Sequence, residues 1–212
     1  ADLTEVADNI DNVAVDGVSN LTLTSTDASG DISTLLGAKT ADASVLVTAT
    51  SMNAAQLNAI AAEIAEINAT GITGTLALTS SVDAGDITAL FGKYAGTTAT
   101  VDAAGMDQAQ LSAVASSTAA KVVAGGLTNL TLTDANTADA ATISTLVGAA
   151  TTDSTVLVVS TGMSAAKLNA IAAEIVEIGA TAGGADGITG DLALTSDVTS
   201  TDMTSLFGQY TG

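Results

Sequence analysis

Apolar residues recur along this chain in two rhythms. Leu57, Ile60, Ala61, Ile64 and Ile67 keep i, i+3, i+4, i+7 spacing, and Leu168, Ile171, Ala172, Ile175 and Ile178 repeat it. That spacing predicts amphipathic helices with one apolar stripe. Between helices the rhythm changes to period two, in runs rich in Thr and Val. These are NLTLT (20–24 and 129–133), LALT (76–79 and 192–195), SVLVTAT (44–50), TATVDA (98–103) and TVLVVS (155–160). Such runs predict strands, seven in all and about one every 27 residues.

The helices share an opening motif. It appears as DISTL at 31, QLNAI at 56, DITAL at 86, QLSAV at 110, TISTL at 142, KLNAI at 167 and DMTSL at 202. Three residues upstream stand Asn53, Asp83, Asp107, Asp139, Ser164 and Thr199, all good N-caps, and Ala28 alone breaks the column. With Gln56, Asp86, Gln110 and Asp202 at N3, each motif approximates a capping box. Gly37, Gly92, Gly148 and Gly208 follow the last apolar residues of one set of helices. Glycine there suits a left-handed C-cap, so short helices are expected to alternate with long ones that run to Ile67 and Ile178.

The pattern is a duplication. AAQLNAIAAEIAEINAT (54–70) returns as AAKLNAIAAEIVEIGAT (165–181), 111 residues later with three differences in seventeen. Strand–helix–strand connections of this length give parallel pairing with right-handed crossovers. The expected fold is therefore α/β: a right-handed β-α solenoid over 1–212, with one parallel sheet of about seven short strands lined by alternating long and short helices. The alternative makes each roughly 55-residue unit one coil contributing strands to two sheets. Residues 2–10 align with 56–64, and LFGQYTG (206–212) with LFGKYAG (90–96), so the chain is expected to be a fragment of a longer tandem array.

The motifs GITG-x-LALTS and DITAL, set in Thr/Ala/Asp-rich linkers, resemble hyper-repetitive segments of giant extracellular proteins of bacteria, notably marine cyanobacteria. The resemblance implies a secreted or cell-surface structural role and carries over no functional residues. LTNLTLTDAN (127–136) is similar to a leucine-rich repeat, L-x-x-L-x-L, as an architectural analogy.

Composition narrows the chemistry. A net charge of −19, from 23 acids and four lysines, repels phosphate backbones and anionic membranes. No nucleic-acid partner is expected, and no apolar run is long enough to span a bilayer. His, Cys and Arg are absent. A nucleophile–base pair would then need Ser or Thr with Lys, or two carboxylates. Lys39, Lys93, Lys121 and Lys167 each stand alone and read as solvated surface lysines. Glu63/Glu66 and Glu174/Glu177 lie three apart on one helix face, opposite the apolar stripe, and read as a solvated face. No enzyme is expected.

Two binding chemistries remain. Calcium takes six to eight oxygens, and aspartates recur in loops at 27, 31, 83, 86, 102, 107, 134, 139, 186 and 191. Most are better read as helix caps. Asp186 and Asp191, in GGADGITGD (183–191), are the metal candidates because they faintly echo a calcium-binding nonapeptide. The second chemistry is a threonine face. If Leu21 and Leu23 point to the helices, Thr22 and Thr24 point outward, as do Thr131 and Thr133. Stacked strands would repeat such hydroxyls about 4.8 Å apart, a grid suited to ice, glycan or another surface. The leading expectation is a structural spacer or scaffold, extracellular or on a cell surface. Its partners would be neighbouring repeats of the same parent chain, with end-to-end self-association of isolated pieces.

Overall fold

The computed structural model describes residues 3–12, 18, 20–38, 44–96, 98–150, 156–175, 178 and 187–211, the side chains of 12, 118–121 and 123–125 aside. The chain divides into two compact units, Ala1–Ala99 and Thr100–Gly212. It is a mixed α/β protein with eight α-helices and nine strands among the described residues.

The first unit contains α1 (Leu3–Asp8), β1 (Leu21–Leu23), α2 (Ser29–Gly37), β2 (Val45–Thr48), α3 (Ala54–Ala62), β3 (Ile72–Thr73), β4 (Thr75–Leu78) and α4 (Ala84–Lys93). β1, β2 and β3 form a parallel ladder, with Leu21 opposite Val45 and Val47 opposite Ile72. β5 (Thr98–Asp102) crosses the division between the units. The second unit adds α5 (Gln108–Lys121), β6 (Val122–Thr128), β7 (Leu130–Thr133), α6 (Ala140–Ala149), β8 (Val156–Val159), α7 (Ala165–Ala173), β9 (Gly187–Thr189) and α8 (Ser200–Gln209). β7, β8 and β9 again run parallel, with Leu130 opposite Val156 and Val158 opposite Ile188. Within each unit every helix packs on the next, α1 to α4 and α5 to α8.

The core is the inner half of the alternation. Leu21, Leu23, Val45, Val47, Leu76, Leu78, Leu130, Leu132, Val156 and Val158 are buried, while Thr22, Leu46, Ala77 and Thr131 between them are exposed. The helices close it from the other side with Ile32, Leu35 and Leu36 and their equivalents Ile87, Leu90, Phe91 and Ile143, Leu146, Val147. Burying a Leu, Ile or Val side chain is worth about 1.5–3 kcal/mol, so this stripe is the main stabilising term.

Several expectations need correction. In place of one seven-stranded sheet there are short parallel ladders. β3 belongs with β1 and β2, whereas β4, one residue later, does not. Ile72–Thr73 and Gly187–Thr189 are strands that alternation did not reveal, because two or three residues show no period, and β6 ends in the matching Gly-Leu-Thr at 126–128. The run at 192–195 is not a strand. Its equivalent β7 is paired by β8, which follows α6, and no described strand follows α8.

Helix lengths also differ. α3 and α7 stop at Ala62 and Ala173, where Glu63 (φ −110, ψ 30) and Glu174 (φ −104, ψ 24) leave helical geometry. In α3 a 3-10 turn, Ile64–Glu66, then carries Ile67 into the core. The glycines expected as left-handed C-caps are helical: α4 runs through Gly92 to Lys93, and α6 through Gly148 to Ala149. These helices end instead on extended residues, Tyr94 and Ala150. Tyr94, Ala150 and the equivalent Tyr210 form parallel bridges to Ile72, Leu127 and Ile188.

Candidate functional site

Four sites in the chain share one design, a left-handed bend that precedes β1, β4, β7 and the equivalent run at 192–195. Asn20, Gly74, Asn129 and Gly190 have φ of 51, 79, 52 and 79°. Each follows a Gly-(Val/Ile/Leu)-(Thr/Ser) triplet, at 17, 71, 126 and 187. In three copies the threonine carbonyl accepts the N–H of a residue beyond the neighbouring strand: Ala49 to Thr73 at 2.8 Å, Ala103 to Thr128 at 2.9 Å, Ser160 to Thr189 at 2.9 Å. Its hydroxyl donates to the same neighbouring strand, to Val47, Val101 and Val158 at 3.3–3.4 Å. The copies with glycine carry one extra residue, Thr75 or Asp191, whose N–H donates to Thr50 Oγ1 at 3.0 Å or Thr161 Oγ1 at 2.8 Å. The copy with Asn129 lacks that residue, and Ala104 stands where Thr50 and Thr161 stand. The Asn129 amide donates instead to Asp102 Oδ1 at 2.9 Å.

The helix starts are equally committed to internal bonds. Asn53 and Asp107 form capping boxes with Gln56 and Gln110. Asp139, Ser164 and Thr199 accept from Thr142, Lys167 and Asp202 backbone N–H groups. These bonds hold the exposed Asp139 carboxyl below its ordinary range, the backbone N–H of Thr142 first and its hydroxyl second. Asp83 makes no side-chain cap bond. Asp86, three residues on, is pushed up, first by burial and then by the charge of Asp83.

Two of the four lysines correct the sequence reading. The Lys167 side chain is only 13% exposed, and its Nζ donates to the Asp134 carboxylate at 2.8 Å and carbonyl at 3.0 Å. Gln56 occupies the same position in α3, is buried, and donates to the carbonyls of Ser25 and Asp27. Both side chains tie a helix start to the turn of the preceding coil. Lys93 Nζ donates to the Ile67 carbonyl at 2.7 Å, closing the end of the 3-10 turn. Lys39 lies outside the described residues, as does the Lys121 side chain.

The remaining candidates separate. Asp186 lies outside the described residues, and Asp191 is exposed beside Thr161. No group of three or more potential metal ligands occurs among the described residues. Thr22 and Thr131 are exposed, but across the ladder they face Leu46 and Leu157 rather than threonine. Thr24 and Thr133 are half-buried and serve turns: the Thr24 N–H donates to Asp27 at 2.8 Å, and Thr133 Oγ1 accepts from Asn136 N–H at 3.1 Å. Glu63 precedes the 3-10 turn and Glu66 is its last residue, so both lie beyond the end of α3, and Glu177 lies outside the described residues. No helix among the described residues is long and apolar enough to cross a membrane. No family model, curated protein or solved structure matches this chain.

Proposed function

We propose that this chain is a structural repeat segment, a spacer or scaffold within a large secreted or cell-surface bacterial protein, built as a right-handed β-α solenoid. The observation that carries the reading is the fate of its polar side chains. At equivalent positions of successive coils they cap helices, hold bends or tie one coil to the next. Gln56 and Lys167 do this with different chemistry at one position. A site evolved for a reaction is unlike its own repeats, whereas these positions are kept alike to stack. In each unit, parallel ladders and consecutive helix packing supply the one-dimensional contacts a solenoid needs. The chain is read as non-enzymatic and without a required cofactor.

A second reading, adhesion to ice, glycan or another surface through the outer sheet face, draws on Leu46. It is 45% exposed beside Thr22, where an inert spacer gains nothing from a large apolar side chain. One experiment addresses both readings. Small-angle scattering of the monomer is measured beside binding assays against ice, polysaccharide and calcium. An elongated particle with no ligand is the expected result. A compact particle with a tight small-molecule ligand overturns the scaffold reading, and surface binding lost in Leu46→Ser favours adhesion.

A further inference from the structure

Asn-x-Thr, the acceptor triplet for N-glycosylation, occurs three times, at Asn20, Asn68 and Asn129. The fold treats the three differently. Asn20-Leu-Thr and Asn129-Leu-Thr run straight into strands. Leu21 and Leu130 are buried and pair with Val45 and Val156, while Thr22 and Thr131 pair with Leu46 and Leu157. The Asn129 amide is also committed to Asp102. A transferase must draw the triplet into its own groove, and here that would break a parallel ladder and lift a leucine out of the core. Asn68-Ala-Thr lies in neither helix nor strand. All three of its residues are exposed, in a tight turn that the Gly71 N–H closes on the Asn68 carbonyl at 2.9 Å.

The Asn68 amide is held in place with a donor to give. Oδ1 accepts the Val45 N–H at 3.1 Å, and one of the two Nδ2 N–H groups donates to Ser44 Oγ at 3.3 Å. Glu66 places a carboxylate two residues before Asn68, a charge that a transferase can pair with a cation, where the other triplets have Val18 and Leu127. In the duplicated stretch Gly179 stands at the position of Asn68, while Thr181 repeats Thr70. An asparagine needed for stacking would have been repeated too. We propose that Asn68 is an N-glycosylation site that takes an oligosaccharide from a lipid-diphosphate donor. Nδ2 bonds to the anomeric carbon, the bond from that carbon to the phosphate oxygen breaks, and the lipid diphosphate leaves with the electron pair. The amide passes one proton to a base of the transferase and keeps its other N–H. Oδ1 takes no part in the new bond and keeps the Val45 N–H, so the modified chain retains its fold.

The inference rests on the secreted or cell-surface part of the scaffold reading, because lipid-linked donors serve exported chains. The two fail separately: fractionation of the source cells locates the parent protein, and an acceptor assay on the purified chain decides the site. The folded 212-residue chain is incubated with a bacterial oligosaccharyltransferase and a lipid-diphosphate-linked oligosaccharide, then analysed by intact-mass and glycopeptide mass spectrometry. One glycan per chain is expected, on Asn68. Its rate should exceed that at Asn20 and Asn129 by about tenfold or more, since those two must wait for a ladder to open. Asn68→Gly and Thr70→Ala should each abolish transfer with unchanged circular dichroism. Thr70→Ala is the sharper of the two, because it removes an exposed hydroxyl and leaves the Asn68 bonds to Val45, Ser44 and Gly71 in place. A chain left unmodified at Asn68, modified equally at all three triplets, or still modified in Thr70→Ala overturns the proposal.

Discussion

Thr50 Oγ1 accepts the N–H of Thr75 at 3.0 Å from the space that a side chain on Gly74 would fill. A Cβ built at Gly74 would lie 2.5 Å from that oxygen, and Gly190 stands in the same relation to Thr161 at 2.6 Å. The left-handed bend and the hydroxyl that secures it thus select glycine together. Asn129 is tolerated in the third copy because its neighbour is Ala104, which has no hydroxyl to meet. Its own φ of 52° lies where Asn is the least strained residue after glycine.

Gly74→Ala should destabilise the chain by about 2 kcal/mol or more, combining left-handed strain with the contact to Thr50. Thr50→Ala removes the contact but also the acceptor for the Thr75 N–H. The double variant should therefore lose less than the sum of the two single ones. Urea melts in a double-mutant cycle give the coupling, and strict additivity would show that Thr50 does not set the residue at 74.

The glycine at 92 behaves in the opposite way. It sits inside α4 with nothing within 4 Å of where a Cβ would be. Gly92→Ala should stabilise by about 0.5–1 kcal/mol, the usual difference between the two residues in a helix. A thermal melt that falls would mean that another surface approaches this side of α4.

Asp86 supplies a pH dependence. Its carboxyl is pushed up in the folded chain by burial and by Asp83, so the folded state holds the proton more tightly than the unfolded state. The group therefore opposes folding above its raised value, and the penalty disappears as pH falls below the ordinary carboxylate range. Asp86→Asn should raise the melting temperature at neutral pH and change it little at strongly acid pH. An equal gain at both would assign the effect to something other than charge.

Gln56 and Lys167 test whether one position can do the same work with two chemistries. Gln56→Ala removes a buried amide that bonds two carbonyls and the backbone N–H of Asn53. It should cost about 1–3 kcal/mol, since those groups lose their partner. Lys167→Gln should be nearly neutral at high salt, because Asp134 is about half exposed (48%) and such a pair is worth about 0–1 kcal/mol. Guanidinium melts of both variants decide it. A severe loss in Lys167→Gln would show that the charge, not the tie between coils, is what matters.

The sequence by itself determined the elements and their caps. Local physics fixes both: a helix stripe has a period, and a free backbone N–H at a helix start needs a nearby oxygen. Asn53, Asp107, Asp139, Ser164 and Thr199 cap as their positions predict, and the alternation of Leu21, Thr22 and Leu23 gives the buried face of β1 directly. Only the tertiary structure decided where elements stop and what pairs with what. Two-residue β3 has no period of its own and exists through its bonds to β2. The run at 192–195 has the right period but no described strand after α8 to pair with it. Lys167 reads as a surface charge until the turn at Asp134, 33 residues away, is folded against it. Gly92 reads as a helix stop until Tyr94 is seen bridging to Ile72. Those outcomes depend on partners distant in the chain, and a pattern of near neighbours carries no record of them.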